Sequence, residues 1–257
     1  MEHGVDVQLI DTMPSENLEA AIVQAARVSY GAGTKTPSED AALVRYLMRH
    51  WHTTPFEMVE FKFRIKCPIF VARQHFRHRT ASVNELSARY SVLKNEYWIP
   101  KQFRGQSTVN KQASDGVIED PYMVLYSKYV ESCEQSFKTY EFLLGAGVSR
   151  ELARCVLPMS TMTEFYWKIN LHNLLHYLRL RMAPDAQQEI RELAQMMFDV
   201  LKQKCPVVAQ AFLDFRVDSL TLTGPELSGA ELSKGESREF LEKKKMLANI
   251  NGSGELD

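Results

Sequence analysis

Nowhere in this chain do two cysteines stand as a Cys-x-x-Cys pair. The four present, Cys67, Cys133, Cys155 and Cys205, lie far apart, which argues against a zinc ribbon or a dithiol redox motif and leaves them as expected reduced core thiols. A Gly-x-Gly-x-x-Gly run is also missing, so a bound dinucleotide would not be held in the Rossmann manner. The segment Gly31-Ala32-Gly33-Thr34-Lys35-Thr36 lacks P-loop spacing, and no apolar strand precedes it. Excess charge is lacking too. Thirty-one Lys and Arg against 32 Asp and Glu give a formal net charge of -1, which excludes bulk electrostatic attachment to nucleic acid or an anionic membrane and makes any anion site a local one. No apolar run approaches the roughly 20 residues of a membrane span. The amino-terminal stretch, with Glu2 and Asp6, has no apolar signal core. The expected location is therefore cytoplasmic, and no internal repeat is present.

What the chain does have is periodicity. Its 257 residues suffice for one large domain that buries roughly 70 to 75% of the unfolded surface. Residues 5–10 read as a short strand, and Leu18, Ala21, Ile22 and Ala25 fall at helical spacing. Thr36-Pro37-Ser38-Glu39 has the form of a capping box, and Thr54-Pro55-Phe56-Glu57 repeats it. Val59, Phe61, Phe63, Ile65 and Cys67 alternate with Glu60, Lys62, Arg64 and Lys66, the pattern of a strand with one buried face. Pro68 ends that strand and starts a helix. On this helix Ile69, Ala72 and Phe76 share one face, and Gln74, Arg77 and His78 share the other.

A long helix is expected from Asp120-Pro121 to about Leu144, with Tyr126, Tyr129, Cys133, Phe137, Tyr140 and Leu144 as a core stripe and Gly145 and Gly147 as its stop. A short helix from Ser149 carries Arg154, and 161–169 reads as a strand. Over 170–182 a helix buries Leu171, Leu174, Leu175, Leu178 and Met182, which places His172 and His176 on one flank and Arg181 on the other. Ile190, Leu193, Met197 and Leu201 mark another amphipathic helix, and a last core helix ends near Phe215. Beyond Arg216 the composition turns to Gly, Ser and charge. The expected organisation is one domain over 1–216 and a polar extension over 217–257, either partly helical near 237–248 or disordered.

The densest chemistry lies in the run from Arg77 to Arg89, Arg-His-Arg-Thr-Ala-Ser-Val-Asn-Glu-Leu-Ser-Ala-Arg. Arginine presents a planar fork of donors that pairs with phosphate at two points, while Glu, Asn and Ser read sugar hydroxyls and base edges. The bland alternative is a solvated helix face. Against it, the run lacks Lys/Glu alternation and follows directly on a strand and a helix. The pair His172 and His176 has helical i, i+4 spacing, but without a His-Glu-x-x-His pattern or a third ligand no metal is expected there.

Arg77-His78-Arg79, seven residues, then Ser87 and Arg89 resembles the signature of the flavin-dependent thymidylate synthases. Two flanking segments resemble the same family in the same chain order: His52-Thr53-Thr54-Pro55-Phe56-Glu57 upstream, and the run from Asn170 to Arg181 downstream. Met58 departs from the His that many members carry, and His172 from the Arg of some. The resemblance implies an α+β fold, one domain with a mainly antiparallel sheet flanked by long helices and no Rossmann motif. It further implies an enzyme that methylates dUMP to dTMP, with methylenetetrahydrofolate as one-carbon donor and NADPH-reduced FAD as reductant, giving tetrahydrofolate and NADP. The implied assembly is a homotetramer with active sites shared between subunits.

Carried over position by position, the resemblance implies that dUMP is bound by Gln74, His75, Phe76, Arg77, Glu85, Leu86, Ser87, Ala88, Arg89, Arg154 and Arg181. It implies that FAD is bound by His52, Thr54, Arg77, His78, Arg79, Glu85, Asn170, Leu171, His172 and His176. Arg181 is the implied catalytic residue, since a permanent charge beside the pyrimidine stabilises the negative charge that develops on the ring. Ser87 is expected to position substrate and not to act as nucleophile, because no local base and orienting group accompany it. Two rival readings stay open at this point. One is a nucleotide- or RNA-binding module, opposed by the near-neutral charge and the absence of an aromatic platform. The other is a flavin methyltransferase of RNA uridine, opposed by the absence of a Rossmann fingerprint.

Overall fold

The computed structural model describes residues 4–28, 37–108, 113–228, 233, 236–237 and 240–245. In chain order it contains β1 (Asp6–Met13), α1 (Leu18–Arg27), α2 (Pro37–Arg49), α3 (Thr54–Glu57), β2 (Glu60–Pro68), α4 (Ile69–His75), β3 (Ser82–Glu85), β4 (Arg104–Gln106) and β5 (Ser114–Val117). There follow α5 (Val124–Gly145), α6 (Arg150–Ala153), β6 (Met162–Asn170), α7 (Leu171–Arg181), α8 (Gln188–Lys204), α9 (Pro206–Phe212) and α10 (Gly224–Ser228). The chain clusters into two compact units that divide at Phe212/Leu213, earlier than the boundary after Arg216 expected from composition.

In the first unit, β1, β2, β6 and β3 form a four-stranded sheet in that spatial order, antiparallel throughout. The expected alternation in β2 holds: Phe61, Phe63, Ile65 and Cys67 are buried, as are their counterparts Phe165, Trp167 and Ile169 on β6. Burying each such side chain stabilises by roughly 1.5–3 kcal/mol. The opposite face is open and carries diagonal cross-strand ion pairs, Arg64 to Glu164 through two bonds of 2.9 Å and Lys168 to Glu60 at 2.9 and 3.0 Å. These exposed pairs contribute little each, but they oppose a slip of register.

Helices α4, α7 and α8 cover the apolar face, each packing on a strand and α8 on both other helices. The sheet thus supplies a floor from which α4 and α7 project their polar ends. The long helix α5 instead builds a satellite cluster with α6, in which Phe137, Tyr140 and Ala153 are buried against Tyr97, Leu143 and Leu157. Its start lies at Val124, where the Asp120 carboxylate accepts from the amides of Val124, Leu125 and Tyr126. At its other end Gly147 takes φ +85° and the amides of Gly147 and Val148 close on Leu144 and Leu143, the left-handed stop for which glycine is suited.

Some local expectations change. Thr54 lies inside α3, and the preceding Thr53 has helical dihedrals and makes no side-chain cap bond, so the second capping box does not form. The turn is set instead from upstream. Trp51 adopts φ 62°, and the His52 amide bonds Leu47 O at 3.0 Å, a left-handed closure of α2 without glycine. Helix α4 buries Val71, Ala72 and His75, while Ile69 and Phe76 are only half-buried. Cys155 is exposed, unlike the other three cysteines. The cap at Thr36 and the 31–36 segment lie outside the described residues.

In the second unit Leu213–Val217 forms a π turn, and α10 begins with a reciprocal cap. The Thr223 amide donates to Glu226 Oε2 at 2.6 Å, and the Glu226 amide to Thr223 Oγ1 at 3.4 Å. Lys243 completes the carboxylate's contacts at 2.8 and 2.9 Å. Ser233 and Glu236 repeat the cap. Both fit the Ser/Thr-x-x-Glu pattern, which was present in the sequence and points to local order at these positions. Residues 236–237 and 240–245 are helical. Among the described residues no helix is long and apolar enough to cross a membrane.

Candidate active site

Between the end of α4 and one face of α7 lies a cleft of about 710 Å³, lined by Arg77, His78, Arg79, Thr80, Ile169, Asn173, His176, Leu180 and Arg181. Among the described residues, three guanidinium groups and no carboxylate line it, which suits a polyanion. The polar lining exists because α4 stops. After His75 the amides of Phe76, Arg77 and His78 bond Ala72 O, Gln74 O and His75 O in a tightening turn, which swings the arginines off the helix axis.

Arg181 is fixed by two bonds. Its Nε donates to His78 Nε2 at 2.9 Å, and its Nη2 donates to the backbone carbonyl of Gln74 at 3.3 Å. An Nε2 that accepts places the His78 proton on Nδ1 and leaves the ring neutral. Partial burial, then the neighbouring Arg181 and His176, push the His78 pKa down to about 4. Of the five guanidinium N–H groups of Arg181, two are engaged by the described residues, which leaves three for a ligand.

His75 is brought not to the cleft but to the core. Its ring is fully buried, shares a 3.0 Å hydrogen bond through Nδ1 with Tyr177 Oη, and packs on Trp167 at 4.2 Å between centroids, while Nε2 has no partner among the described residues. The side chain of this implied dUMP-binding position is therefore turned away from the cleft, and the reason is position: it sits on the buried face of α4. Burial first, then His78 and Arg181, lower its pKa to about 3. The unfolded chain, with an ordinary pKa of 6.5, therefore binds this proton first. The resulting stability is present above pH 6.5 and is lost as pH falls towards 3. We expect about 3 kcal/mol of stability to disappear between pH 7 and pH 4 through His75. Denaturant titrations across this range check it, and H75F should show a shallower acid dependence than the wild type.

Other expected site residues have structural duties. Leu171 is fully buried, and its amide donates to Val59 O at 2.7 Å, so its side chain cannot reach a ligand. Asn170 caps α7, with Oδ1 accepting from the Asn173 amide and from Asn173 Nδ2, both at 2.9 Å. His52, Thr54, Asn170, Leu171 and His172 do not line the cleft, although α3 packs against α7. The helical wheel placed His176 and Arg181 on opposite flanks. In the fold both line one cleft, because it spans the Asn173-His176-Leu180 face and reaches the helix end. Asn173, Thr80, Ile169 and Leu180 were not foreseen, although 173, 176 and 180 share a face by helical spacing.

Downstream, β3 continues the sheet, and Leu86 N extends its pairing to Glu164 O at 2.9 Å. Glu85 accepts from Thr163 Oγ1 at 2.6 Å, so its carboxylate is oriented. Phe76 packs edge-on to Phe165 at 4.8 Å. Ala88 is nearly buried, and Leu86 is exposed. Ser87 Oγ accepts from the Arg89 amide at 3.3 Å, a turn contact, and among the described residues no base is bonded to it. Accordingly S87A should keep clear turnover, with its loss mainly in KM; a fall in kcat comparable to removal of an activated nucleophile would assign the hydroxyl a chemical role.

Arg89 belongs to a second cleft of about 650 Å³, lined by Arg89, Tyr90, Val92, Leu144, Gly147, Val148, Ser149, Arg150 and Glu151. Arg89 faces Glu151 across 3.6 Å with both side chains more than half exposed, a pair weak enough to yield to a ligand phosphate. Arg154 is exposed in the turn that follows α6 and lines neither cleft. Within this chain, then, the structure gathers Arg77, His78, Arg79, His176 and Arg181, and it leaves Arg89 and Arg154 apart from them. Among the described residues no group of three or more His, Cys, Asp or Glu side chains is gathered to hold a metal ion.

Residues 8–207 match the protein-family model described as thymidylate synthase complementing protein. A Dictyostelium discoideum protein named flavin-dependent thymidylate synthase is 49% identical over 260 residues, covering 96% of this chain and 86% of that one. A Thermus thermophilus protein of the same name is 53% identical over 221 residues, covering 86% and 80%. Among solved structures, the UMP/dUMP methylase PolB from Streptomyces cacaoi bound with 5-Br dUMP superposes with a TM-score of 0.76 at 32% identity, covering 84% of this chain and 97% of that one. The same protein bound with 5-Br UMP gives 0.74 at 33%, covering 82% and 95%.

Proposed function

This chain belongs to the flavin-dependent thymidylate synthase family, and from that premise we propose that it methylates dUMP to dTMP in a site its subunits build together. The observation that carries the reading is the Arg181 guanidinium, held by His78 and Gln74 at the edge of a cationic cleft. Its remaining donors suit a uracil oxygen. Charge fixed there before reaction stabilises the anionic ring that forms as the carbon nucleophile develops, with no reorganisation needed during the step.

The cleft residues fit FAD: Arg77 and Arg79 suit its pyrophosphate, and His78 and His176 its ring edge or face. His78 is neutral and exposes no competing positive charge of its own. His52, Thr54, Glu85, Asn170, Leu171 and His172 would add contacts at the cleft margins, Leu171 through its backbone only. When bound, the flavin supplies the hydride chemistry, with NADPH as reductant and methylenetetrahydrofolate as one-carbon donor. For dUMP, Gln74, Phe76 and Arg77 come from the end of α4, while Glu85 to Arg89 and Arg154 come from the neighbouring segments. Arg89 and Arg154 are suited to the phosphate. Because Arg89 and Arg181 line different clefts of this chain, the reading has one chain complete another's site, in the homotetramer that the family resemblance implies. The proposed substrates fit a cytoplasmic location.

The test is formation of dTMP from dUMP that depends on both NADPH and methylenetetrahydrofolate, with a purified protein that is yellow or turns yellow with FAD. UMP in place of dUMP is the control for sugar selectivity, since PolB was crystallised with both 5-Br dUMP and 5-Br UMP. Failure to form product with every component present overturns the reading, and tight binding of RNA by a colourless protein would favour a nucleic-acid module.

A further inference from the structure

Glu189, in the first turn of α8, is a buried carboxylate with no task in the reading above. Its side chain is 3% exposed, and both oxygens are engaged. Oε1 accepts from Arg104 Nη2 at 2.6 Å, and Oε2 accepts from Gln187 Nε2 at 2.8 Å. Arg104 comes from β4 and is held further by Gln188 Oε1 at 2.8 Å and by Ser114 Oγ of β5 at 2.9 Å. A buried ion pair adds little net stability relative to an apolar replacement, so its contribution is better sought in what it orients. Gln187 leads from this pair to a residue beside the cleft: Gln74 Nε2 donates to Gln187 Oε1, and the backbone carbonyl of Gln74 accepts from Arg181, which lines the cleft.

The chemistry sets the direction of each bond. An ionised carboxylate only accepts, so Gln187 must turn Nε2 to Glu189 and Oε1 to Gln74. Gln74 must then offer its own Nε2, which leaves Oε1 as the end available to a ligand. Two amides that would otherwise be free to flip are given one orientation by a charge remote from the cleft. We propose that Arg104, Glu189 and Gln187 are positioning residues that present Gln74 as a hydrogen-bond acceptor for a donor on the nucleotide, either the ring N–H or the sugar hydroxyl. The inference rests on the dUMP reading, and it concerns polarity: substrates lacking that donor are selected against.

The test uses the FAD-loaded enzyme and dUMP affinity by calorimetry. Gln187 is exposed, so Q187M removes the relay while leaving the Arg104–Glu189 pair in place; Glu189 Oε2 loses its donor, so a modest fall in melting temperature is expected and affinity is measured where the variant is fully folded. We expect the Kd for dUMP to rise about threefold to tenfold, the range of one neutral hydrogen bond. Q74M should show a similar rise, and the double variant should be no weaker than the weaker single one, because both remove the same contact. Analogues identify the donor: N3-methyl dUMP and 3′-deoxy dUMP are compared, and the one lacking the donor read by Gln74 binds the wild type weakly but loses no further affinity in Q187M. If the wild type binds dUMP and Q187M binds it equally well, or the two substitutions add in full, the relay is wrong. If the wild type does not bind dUMP, the functional reading fails and the relay falls with it.

Discussion

Replacing Arg181 with alanine is expected to lower kcat by about 10²- to 10³-fold, the usual loss when one electrostatic donor is removed from a reacting centre. The size follows from the way the side chain is held. Bonds from Nε to His78 and from Nη2 to the Gln74 carbonyl fix the guanidinium plane before substrate arrives, so its charge acts without further ordering. The loss should fall mainly on kcat, since the interaction strengthens as charge develops on the pyrimidine. R181K is the informative companion. It keeps the charge but loses the fork that engages two protein acceptors and a ligand together, and it should recover only part of the rate. Flavin absorbance and melting temperature must be unchanged for the comparison to hold. Near-normal turnover of R181A with the fold intact would remove Arg181 from the mechanism.

Mixing two crippled chains should restore activity. R181A damages the cleft beside α7, and R89A damages the cleft beside α6, where loss of a charge-assisted phosphate contact should lower kcat/KM by about 10- to 10²-fold. Each variant alone has every site damaged. In hybrid oligomers made by refolding the two together, the shared-site reading has some sites take Arg181 from one parent and Arg89 from the other. Random assortment leaves both intact in about a quarter of sites if the two residues come from different subunits. Activity near that fraction of wild type, appearing only after subunit exchange, supports a shared site. Were each site contained in one protomer, every site would still lack one arginine, and the mixture would perform no better than its components.

Much of the scaffold was legible along the chain because one-sided burial leaves a local record. The alternation from Phe61 to Cys67, the apolar stripe of α8 and the glycine that stops α5, Gly147, each reflect contacts made within a few residues. β3 left no such record. Its residues are exposed along the whole strand, so there is no periodicity to read, and only pairing with β6 makes it a strand. The short hairpin of β4 and β5 is similar, with no residue of either strand buried. The tail shows the reverse case: Thr223 and Glu226 had the spacing of a reciprocal cap, a strictly local device, and that signal was available.

For the site, local spacing grouped Gln74, Arg77 and His78 at one helix end, but it could not tell that His75 between them turns into the core. That depends on Trp167 and Tyr177, which arrive from β6 and α7. By itself the sequence determined the family, the sheet's central strands, most of the helices and the identity of the charged groups, all of which rest on residue type and short-range pattern. Only tertiary structure decided that Arg181 meets His78, that Glu189 reaches Gln74 through Gln187, and that the arginines fall into two separate clefts. These are meetings of segments distant in sequence, where direction and distance depend on how helices pack on the sheet, and no local pattern carries that information.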